Sequence, residues 1–296
     1  MTTASAWLRL HSALLTAEID PQGAQLSVLR DSSGRDLLWN GDPAFWSGRA
    51  PVLFPIVGTL NGGHFRWRGQ SFALPRHGFA RGRAFDVVHH DAHSALLRLR
   101  ADAGSEAVYP FRFELDMAFE LDGSSLTIAA TVRNAGNQPM PASVGFHPAF
   151  RWPLPGGPAR GGQFLEFEHE EPATIRRLDA AGLLSADCYA TPVRGRRLVL
   201  DDALFSDDVV IFDQLASHSL VYGSETGPRI RVRFPDATHL GVWSKPGAGF
   251  VCIEPWLGVA DPAGFAGDFD AKPGAFVVTP GGQRTLQMRI ELLAAE

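Results

Sequence analysis

The amino-acid sequence predicts an all-β protein, built as a large antiparallel β-sandwich. Apolar and polar residues alternate with a period of two along several segments, the pattern of strands with one buried face. An Asp-Gly pair at residues 122–123 separates two such segments, and this dipeptide favours the tight turn of a β-hairpin. The 31 glycines and 21 prolines supply frequent turns, whereas runs with helical periodicity are hard to find. These observations together favour sheets packed on sheets.

The predicted strands follow from this alternation. Charged and apolar side chains alternate up to the Asp-Gly pair, and an apolar run begins the return strand of the hairpin. Near the C-terminus, one segment alternates arginines with apolar residues, as expected of a strand with one solvated face. The alternating segments are, in chain order, residues 8–11, 95–100, 111–121, 126–128, 229–234 and 286–292.

The chain is predicted to form one domain over residues 1–296. Its most Pro- and Gly-rich segments, 154–158 and 246–249, are short and flanked by strand-like sequence. We therefore interpret them as loops within one architecture, since all-β domains often exceed about 200 residues.

Composition and charge exclude several classes of partner. The 27 Lys and Arg residues against 32 Asp and Glu leave a net charge of -5, so no nucleic-acid partner is predicted. No stretch approaches the roughly 18 consecutive apolar residues of a membrane helix, so no membrane partner is predicted. Two cysteines are too few for a disulfide framework, and residues 1–6 lack the cationic region of a secretory signal. The expected location is the cytoplasm, and the sequence does not indicate an oligomeric state.

Three segments put ionisable side chains inside apolar, turn-rich sequence, where burial is costly without a partner or a chemical role. His77 lies in a loop-like segment, and His147 ends an apolar run just before Pro148. Both suit proton transfer near neutral pH, although a histidine packed at a turn explains each pattern equally well. Glu254, in the middle of an apolar strand, is expected to meet a cation or act as a base. Trp256 offers a flat apolar face to a sugar ring.

Other polar clusters are less informative. Residues 89–93 contain three histidines and an aspartate, but neighbours in a hairpin turn need not converge on one ion, so no metal site is predicted. Asp207 and Asp208 precede an apolar strand and either supply a carboxylate to a cleft or are simply solvated. The chain lacks a P-loop, a dinucleotide-binding glycine pattern and a Gly-x-Ser-x-Gly elbow. No cofactor is therefore predicted.

Four motifs occur in a specific order along the chain: PVLFPIVG at 51–58, HGFAR at 77–81, GFHP at 145–148 and CIEPW at 252–256. In this order they resemble the aldose 1-epimerase (galactose mutarotase-like) family, particularly its LacX-like branch. The resemblance spans almost the whole chain. It implies a β-supersandwich with an open cleft, and cofactor-free interconversion of the α and β anomers of a free hexose.

The resemblance also implies roles for residues within and near these motifs. Glu254 would be the general base that takes the proton of the anomeric hydroxyl, and His147 the general acid that protonates the ring oxygen. His77 would hydrogen-bond the sugar near the reacting oxygens. Asp208 would hold sugar hydroxyls, and Arg81 would be a residue of the cleft.

The chain departs from the family at one position. Relatives usually carry arginine directly after the Phe-Pro-Ile-Val-Gly motif, whereas this chain has Thr59. A bidentate donor to sugar oxygens is therefore missing there. Either Arg76, Arg81 or another arginine replaces it, or the substrate differs from free galactose or glucose, or the activity is reduced.

Three other functions stay open from the sequence. Epimerisation of a hexose 6-phosphate would use arginine side chains to bind the phosphate. A non-catalytic carbohydrate-binding or sugar-sensing protein would stack a ring on Trp243 and Trp256 and use Glu254 only to accept hydrogen bonds. A glycoside hydrolase would pair Glu254 with a second carboxylate such as Asp208. The expected partner in every case is a small sugar.

Overall fold

The structure, a computed structural model, describes residues 7–294. The expectation about an N-terminal signal concerns residues 1–6, which lie outside this part, as do residues 295–296. No helix within residues 7–294 is long and apolar enough to cross a membrane.

The described residues are almost entirely strands and loops. The α-helix assigned among them is α1 (Ala103–Glu106), and single 3-10 turns cover Asn61–Gly63, Ala80–Gly82, Ala203–Phe205 and Phe269–Ala271. The strands are, in chain order, β1 (Leu8–His11), β2 (Leu15–Asp20), β3 (Gln25–Asp31), β4 (Val52–Leu53), β5 (His64–Trp67), β6 (Gln70–Ala73), β7 (Asp86–His90), β8 (Ser94–Arg100), β9 (Phe113–Asp122), β10 (Ser125–Asn134), β11 (Met140–Ala142), β12 (Val144–Phe146), β13 (Ala149–Arg151), β14 (Phe164–Phe167), β15 (Arg197–Val199), β16 (Val210–Phe212), β17 (Ser219–Gly223), β18 (Arg229–Arg233), β19 (His239–Trp243), β20 (Phe250–Leu257), β21 (Phe276–Val278) and β22 (Gln283–Leu293).

A nine-stranded antiparallel sheet forms one layer of the fold, in the order β15-β14-β17-β18-β22-β10-β9-β8-β7. The predicted hairpin is confirmed as β9 and β10, with Leu121 paired to Leu126 across the turn. Gly123 in that turn has φ 54°, a conformation that glycine adopts without the steric cost of a side chain. The predicted C-terminal strands are β18 and β22, which pair with each other.

A six-stranded sheet faces the first one and carries Glu254 and Trp256 on its strand β20. Its main path is β16-β19-β20-β12-β4, and β13 also pairs with β20. The smaller units are a three-stranded sheet, β1-β2-β3, and the two ribbons β5-β6 and β11-β21. The all-β antiparallel architecture predicted from the sequence is confirmed.

The largest apolar cluster lies between the two main sheets. It combines Met117 and Ile128 of the nine-stranded sheet with Val251 and Ile253 of β20. Because successive side chains of a strand point to opposite faces, the intervening residues of β20 lie on its other face. Those residues are Phe250, Cys252, Glu254 and Trp256, and every residue of β20 is buried. The strand therefore has a core face and a second, cavity-side face.

Candidate active site

One cavity of about 310 Å³ collects every side chain that the sequence analysis assigned to a site. It lies on the side of β20 opposite the core, where Glu254 and Trp256 project. Segments remote from one another in the chain contribute the rest of its lining. The predicted residues that line it are His77, Arg81, His147, Asp208, Glu254 and Trp256.

Strand register brings His147 and Glu254 together. β12 pairs with β20 so that Gly145 lies opposite Trp256. In an antiparallel pair, each step forward on one strand matches a step backward on the other, so His147 comes opposite Glu254. The pairing of β13 with β20 continues the same register. The Nε2 atom of His147 lies 3.2 Å from Oε2 of Glu254.

Burial favours the uncharged forms of both groups. Glu254 is 1% exposed, and burial raises the pKa of its carboxyl well above the usual value. The charge of Arg76 opposes this shift and that of Asp208 reinforces it. Burial lowers the pKa of His147 to about 3, and the charges of Arg76 and Arg81 act in the same direction. The uncharged pair can still share one proton across the hydrogen-bond distance between them.

His77 is held as a neutral hydrogen-bond donor. The backbone N–H of Gly58 donates to its ring Nδ1 at 3.0 Å, and the backbone N–H of His77 donates to the Gly58 carbonyl at 2.8 Å. Burial lowers the pKa of His77 well below the usual value. Because Nδ1 accepts a hydrogen bond, the proton of the neutral ring is on Nε2. Its ring meets that of His147 edge-on, with centroids 5.8 Å apart.

Backbone strain occurs at two of the cavity residues. His77 has φ 67° and Asp208 has φ 63°, in the left-handed region that side chains other than glycine rarely adopt. Arg177 supports the second turn by donating to the backbone carbonyl of Asp208 at 2.8 Å. Strained backbone of this kind is concentrated at functional sites.

Two glycines make room for the indole of Trp256. A Cβ at Gly145 would lie 2.5 Å from Cδ1 of Trp256, and a Cβ at Gly241 would lie 2.5 Å from its Cη2. Both distances are too short for real contacts, so the flanking strands accept the ring only where they lack side chains. The ring is buried and lines the cavity.

Aromatic side chains form a second wall around His147. Trp46 stacks on the imidazole with ring centroids 4.9 Å apart, and Trp243 meets it edge-on at 5.6 Å. The sequence predicts Trp243 as a stacking residue, whereas it does not assign Trp46 to the site. No periodic pattern or motif in its loop indicates that it reaches the cavity.

Three cations line the cavity: Arg76, Arg81 and Lys245. Arg81 donates to the carbonyl of Arg76 at 2.9 Å, and Lys245 donates to the carbonyl of Phe45 at 2.9 Å. Thr59 is not part of the lining. Guanidinium groups are therefore present at the cavity despite the threonine after the Phe-Pro-Ile-Val-Gly motif. Arg76 was one of the arginines predicted to replace the missing arginine at position 59, whereas Lys245 was not predicted as a cavity residue.

The histidine-rich segment at residues 89–93 lies on the surface, away from the cavity. Nε2 of His89 is 3.0 Å from Oδ2 of Asp91. The Asp91 carboxylate also accepts hydrogen bonds from the backbone N–H groups of His93 and Ser94, both at 2.8 Å. These contacts stabilise the β7–β8 turn.

Residues 8–256 match the family described as aldose 1-epimerase, and the chain belongs to this family. The resemblance inferred from the four motifs is thereby confirmed, and it assigns the chain to a family of sugar epimerases.

Individual relatives agree with this assignment. The plasmid-encoded LacX protein of Lactococcus lactis is 31% identical over 283 residues, which cover 92% of this chain and 95% of that protein. The galactose mutarotase related enzyme from Lactobacillus acidophilus superposes with a TM-score of 0.90, 26% identity and 98% coverage of both chains. The galactose mutarotase-like protein from Lactobacillus casei gives a TM-score of 0.91, 27% identity and coverage of 97% of this chain and 100% of that one. The predicted galactose mutarotase-like β-supersandwich is confirmed.

Proposed function

We propose that the chain is a cofactor-independent aldose 1-epimerase that interconverts the α and β anomers of a free hexose. The observation that carries the proposal is the buried pair of His147 and Glu254, with Nε2 and Oε2 3.2 Å apart at a cavity of about 310 Å³. Anomer exchange needs one base and one acid close to the same hemiacetal. This pair supplies both.

The reaction is a proton relay through an open-chain sugar. Glu254, as carboxylate, takes the proton of the anomeric hydroxyl, and His147, as imidazolium, protonates the ring oxygen while the bond between the anomeric carbon and that oxygen breaks. The free aldehyde rotates about the C1–C2 bond. Reclosure with the two roles reversed forms the other anomer and restores both groups.

The protonation of the pair suits this relay. A carboxylate beside an imidazolium holds the same number of protons as a carboxylic acid beside a neutral imidazole. Burial favours the uncharged arrangement, because it raises the pKa of Glu254 and lowers that of His147. The charge of Arg76 favours the carboxylate form of Glu254 and opposes the imidazolium form of His147. One proton transfer across 3.2 Å converts one arrangement into the other.

The other cavity residues would bind and orient the sugar. His77 would donate from Nε2 to an oxygen near the reacting centre, because Gly58 occupies its Nδ1. Arg81 and Asp208 would contact sugar hydroxyls, and the face of Trp256 would pack against the ring.

We further propose that the chain acts as one domain in the cytoplasm. A single apolar cluster includes residues from Leu10 to Ile290, which supports the single-domain organisation. Cys188 and Cys252 are both free, which supports a reducing compartment.

A second candidate substrate is a hexose 6-phosphate. Arg76, Arg81 and Lys245 all line the cavity, and such cations would bind a phosphate group.

A sugar-binding protein without catalysis is the alternative from another functional class. Glycoside hydrolysis, which would pair Glu254 with Asp208, is less well supported, because it relies on two carboxylates rather than on a carboxylate beside a histidine.

NMR saturation transfer between the α and β anomeric protons tests the proposal directly. Purified protein in weak buffer should accelerate exchange for glucose or galactose. Glu254→Gln should abolish the acceleration, and the exposed Glu170→Gln should preserve it. Acceleration only for hexose 6-phosphates would identify the phosphosugar enzyme. Sugar binding with no exchange for either class would support the binding protein.

A further inference from the structure

Cys252 lies beside the His147–Glu254 pair but has no part in the proposed reaction. It is two residues before Glu254 on the same face of β20, and its thiol is fully buried. One ligand atom from each of Cys252, His147 and Glu254 lies within 4.8 Å of the other two. A thiol, an imidazole and a carboxyl group therefore converge next to the cavity.

We propose that these three side chains form an inhibitory site for a thiophilic divalent cation, of which Zn²⁺ is the representative. The inhibition rests on the proposed function, whereas binding of the cation does not depend on it. The cation would be bound by the thiolate of Cys252, a ring nitrogen of His147 and a carboxylate oxygen of Glu254. A water molecule from the cavity would complete its coordination.

The spacing of the three groups suits zinc. Bond lengths to sulfur, nitrogen and oxygen imply that neighbouring ligand atoms of a tetrahedral zinc ion lie about 3.3–3.6 Å apart. Nε2 of His147 and Oε2 of Glu254 are already 3.2 Å apart. With one ligand atom of each residue within 4.8 Å of the other two, the thiol has to approach by at most about 1.2 Å. Rotation about the Cα–Cβ bond of Cys252 can supply such a shift.

The chemistry of the donors selects the cation. Thiolate and imidazole are ligands that favour zinc and related transition metals, whereas Mg²⁺ and Ca²⁺ prefer oxygen donors. A carboxylate and a thiolate together carry two negative charges, which a divalent cation neutralises inside a buried site. Binding releases two protons to solvent: the thiol proton of Cys252 and the one proton that Glu254 and His147 share between them.

Inhibition follows from the identity of two of the ligands. A cation bound to Glu254 and His147 occupies the lone pairs that would accept and deliver protons in anomer exchange. Sugar and cation should therefore compete, and a higher sugar concentration should relieve inhibition.

Two cysteine variants separate this site from general metal binding. Cys252→Ala removes the proposed ligand, and Cys188→Ala removes the exposed cysteine as a matched control. Untagged protein, first treated with chelator, is titrated with Zn²⁺ in the anomer-exchange assay. Cys252→Ala should retain exchange and need about 100-fold more Zn²⁺ for inhibition, since even partners outside the ligand set change metal affinity about 10- to 100-fold. Wild type and Cys188→Ala should be inhibited equally, and Mg²⁺ should have no effect.

Cobalt spectroscopy tests the site without requiring activity. Co²⁺ added to wild type and to Cys188→Ala should produce a thiolate-to-cobalt charge-transfer absorption, which Cys252→Ala should lack. Absence of this absorption in wild type, or its loss in Cys188→Ala instead, would overturn the proposal. So would equal zinc inhibition of wild type and Cys252→Ala. Because the wild-type spectrum needs neither a variant nor catalysis, it remains decisive if Cys252→Ala fails to fold or if no sugar is epimerised.

Discussion

Replacement of Glu254 by glutamine is expected to abolish anomer exchange and, at the same time, to stabilise the folded chain at neutral pH. Glu254 is 1% exposed, and burial raises its pKa well above the ordinary value of 4.5. The folded state thus holds this proton more tightly than the unfolded state does. The free energy of unfolding therefore falls as the pH rises from the unfolded pKa toward the folded pKa. Below the unfolded pKa both states are protonated, and the effect disappears.

The magnitude follows from the same linkage. Between the two pKa values, each pH unit lowers the free energy of unfolding by about 1.4 kcal/mol. Glutamine has nearly the same shape and no ionisable group, so the variant escapes this decline. The depressed pKa of His147, about 3, makes stability decline as the pH falls below 6.5. Because His147 lies 3.2 Å from Glu254, the two titrations are coupled, so the two proteins are best compared near neutral pH, above the pH range in which the His147 contribution changes.

The substitution is expected to stabilise the folded chain but to slow catalysis. Loss of a general base typically lowers the rate about 10²- to 10⁴-fold, which corresponds to about 3–5 kcal/mol of barrier. One substitution thus separates folding from chemistry. A side chain retained for packing alone would not show opposite effects on the two.

Urea unfolding of wild type and Glu254→Gln, from pH values below the unfolded pKa up to neutrality, measures the stability difference. The exposed Glu170→Gln serves as the matched control and should follow wild type in both assays. A Glu254→Gln protein that is less stable than wild type at neutral pH would refute the reasoning, because it would mean that the resting pair is an ion pair. Anomer exchange in the variant that stays within about tenfold of the wild-type rate would exclude Glu254 as the base.

Three further substitutions test other parts of the structure. His77→Asn removes the Nε2 donor, and asparagine tolerates the positive φ at this position. It should lower kcat/KM about 10- to 100-fold with little change in stability. An unchanged kcat/KM, measured by saturation transfer, would contradict the binding role. Gly241→Ala puts a methyl group 2.5 Å from the ring of Trp256, so it should destabilise the fold by about 1–3 kcal/mol in urea unfolding and weaken sugar binding. Lys272→Met leaves the carboxylate of Asp261, its partner at 2.6 Å, buried without a cation, and should destabilise the chain by about 3–5 kcal/mol. The double variant Lys272→Met with Asp261→Asn should recover part of that loss, and no recovery would argue against the ion pair.

Much of the fold was predictable because strands and tight turns leave patterns in the local sequence. The alternation of apolar and polar residues reports which face of a strand is buried, and the Asp-Gly pair reports a tight turn. The β9–β10 hairpin and the paired C-terminal strands were therefore accessible from sequence. Phe111 shows the limit of this reasoning: it continues the alternation and is buried, yet β9 begins only at Phe113.

Candidate site residues were also recognisable by their local context. Glu254 lies within an apolar strand, and His147 lies at the end of an apolar strand. The sequence alone shows that burying either ionisable side chain would cost free energy. What the sequence does not contain is the pairing between them. It depends on which strands become neighbours and in which register, and these are decided by contacts between segments more than a hundred residues apart.

The sequence by itself therefore determined the all-β class, the family and the ionisable groups that stand out from their surroundings. Only the tertiary structure brought Trp46 onto His147 and Lys245 to the cavity, because no pattern within their own segments reports what faces them. The same holds for Cys252, which the sequence shows only as a cysteine within an apolar run. Its position beside an acid–base pair arises from the pleat of one strand and the register of its neighbours, which are properties of the assembled sheet.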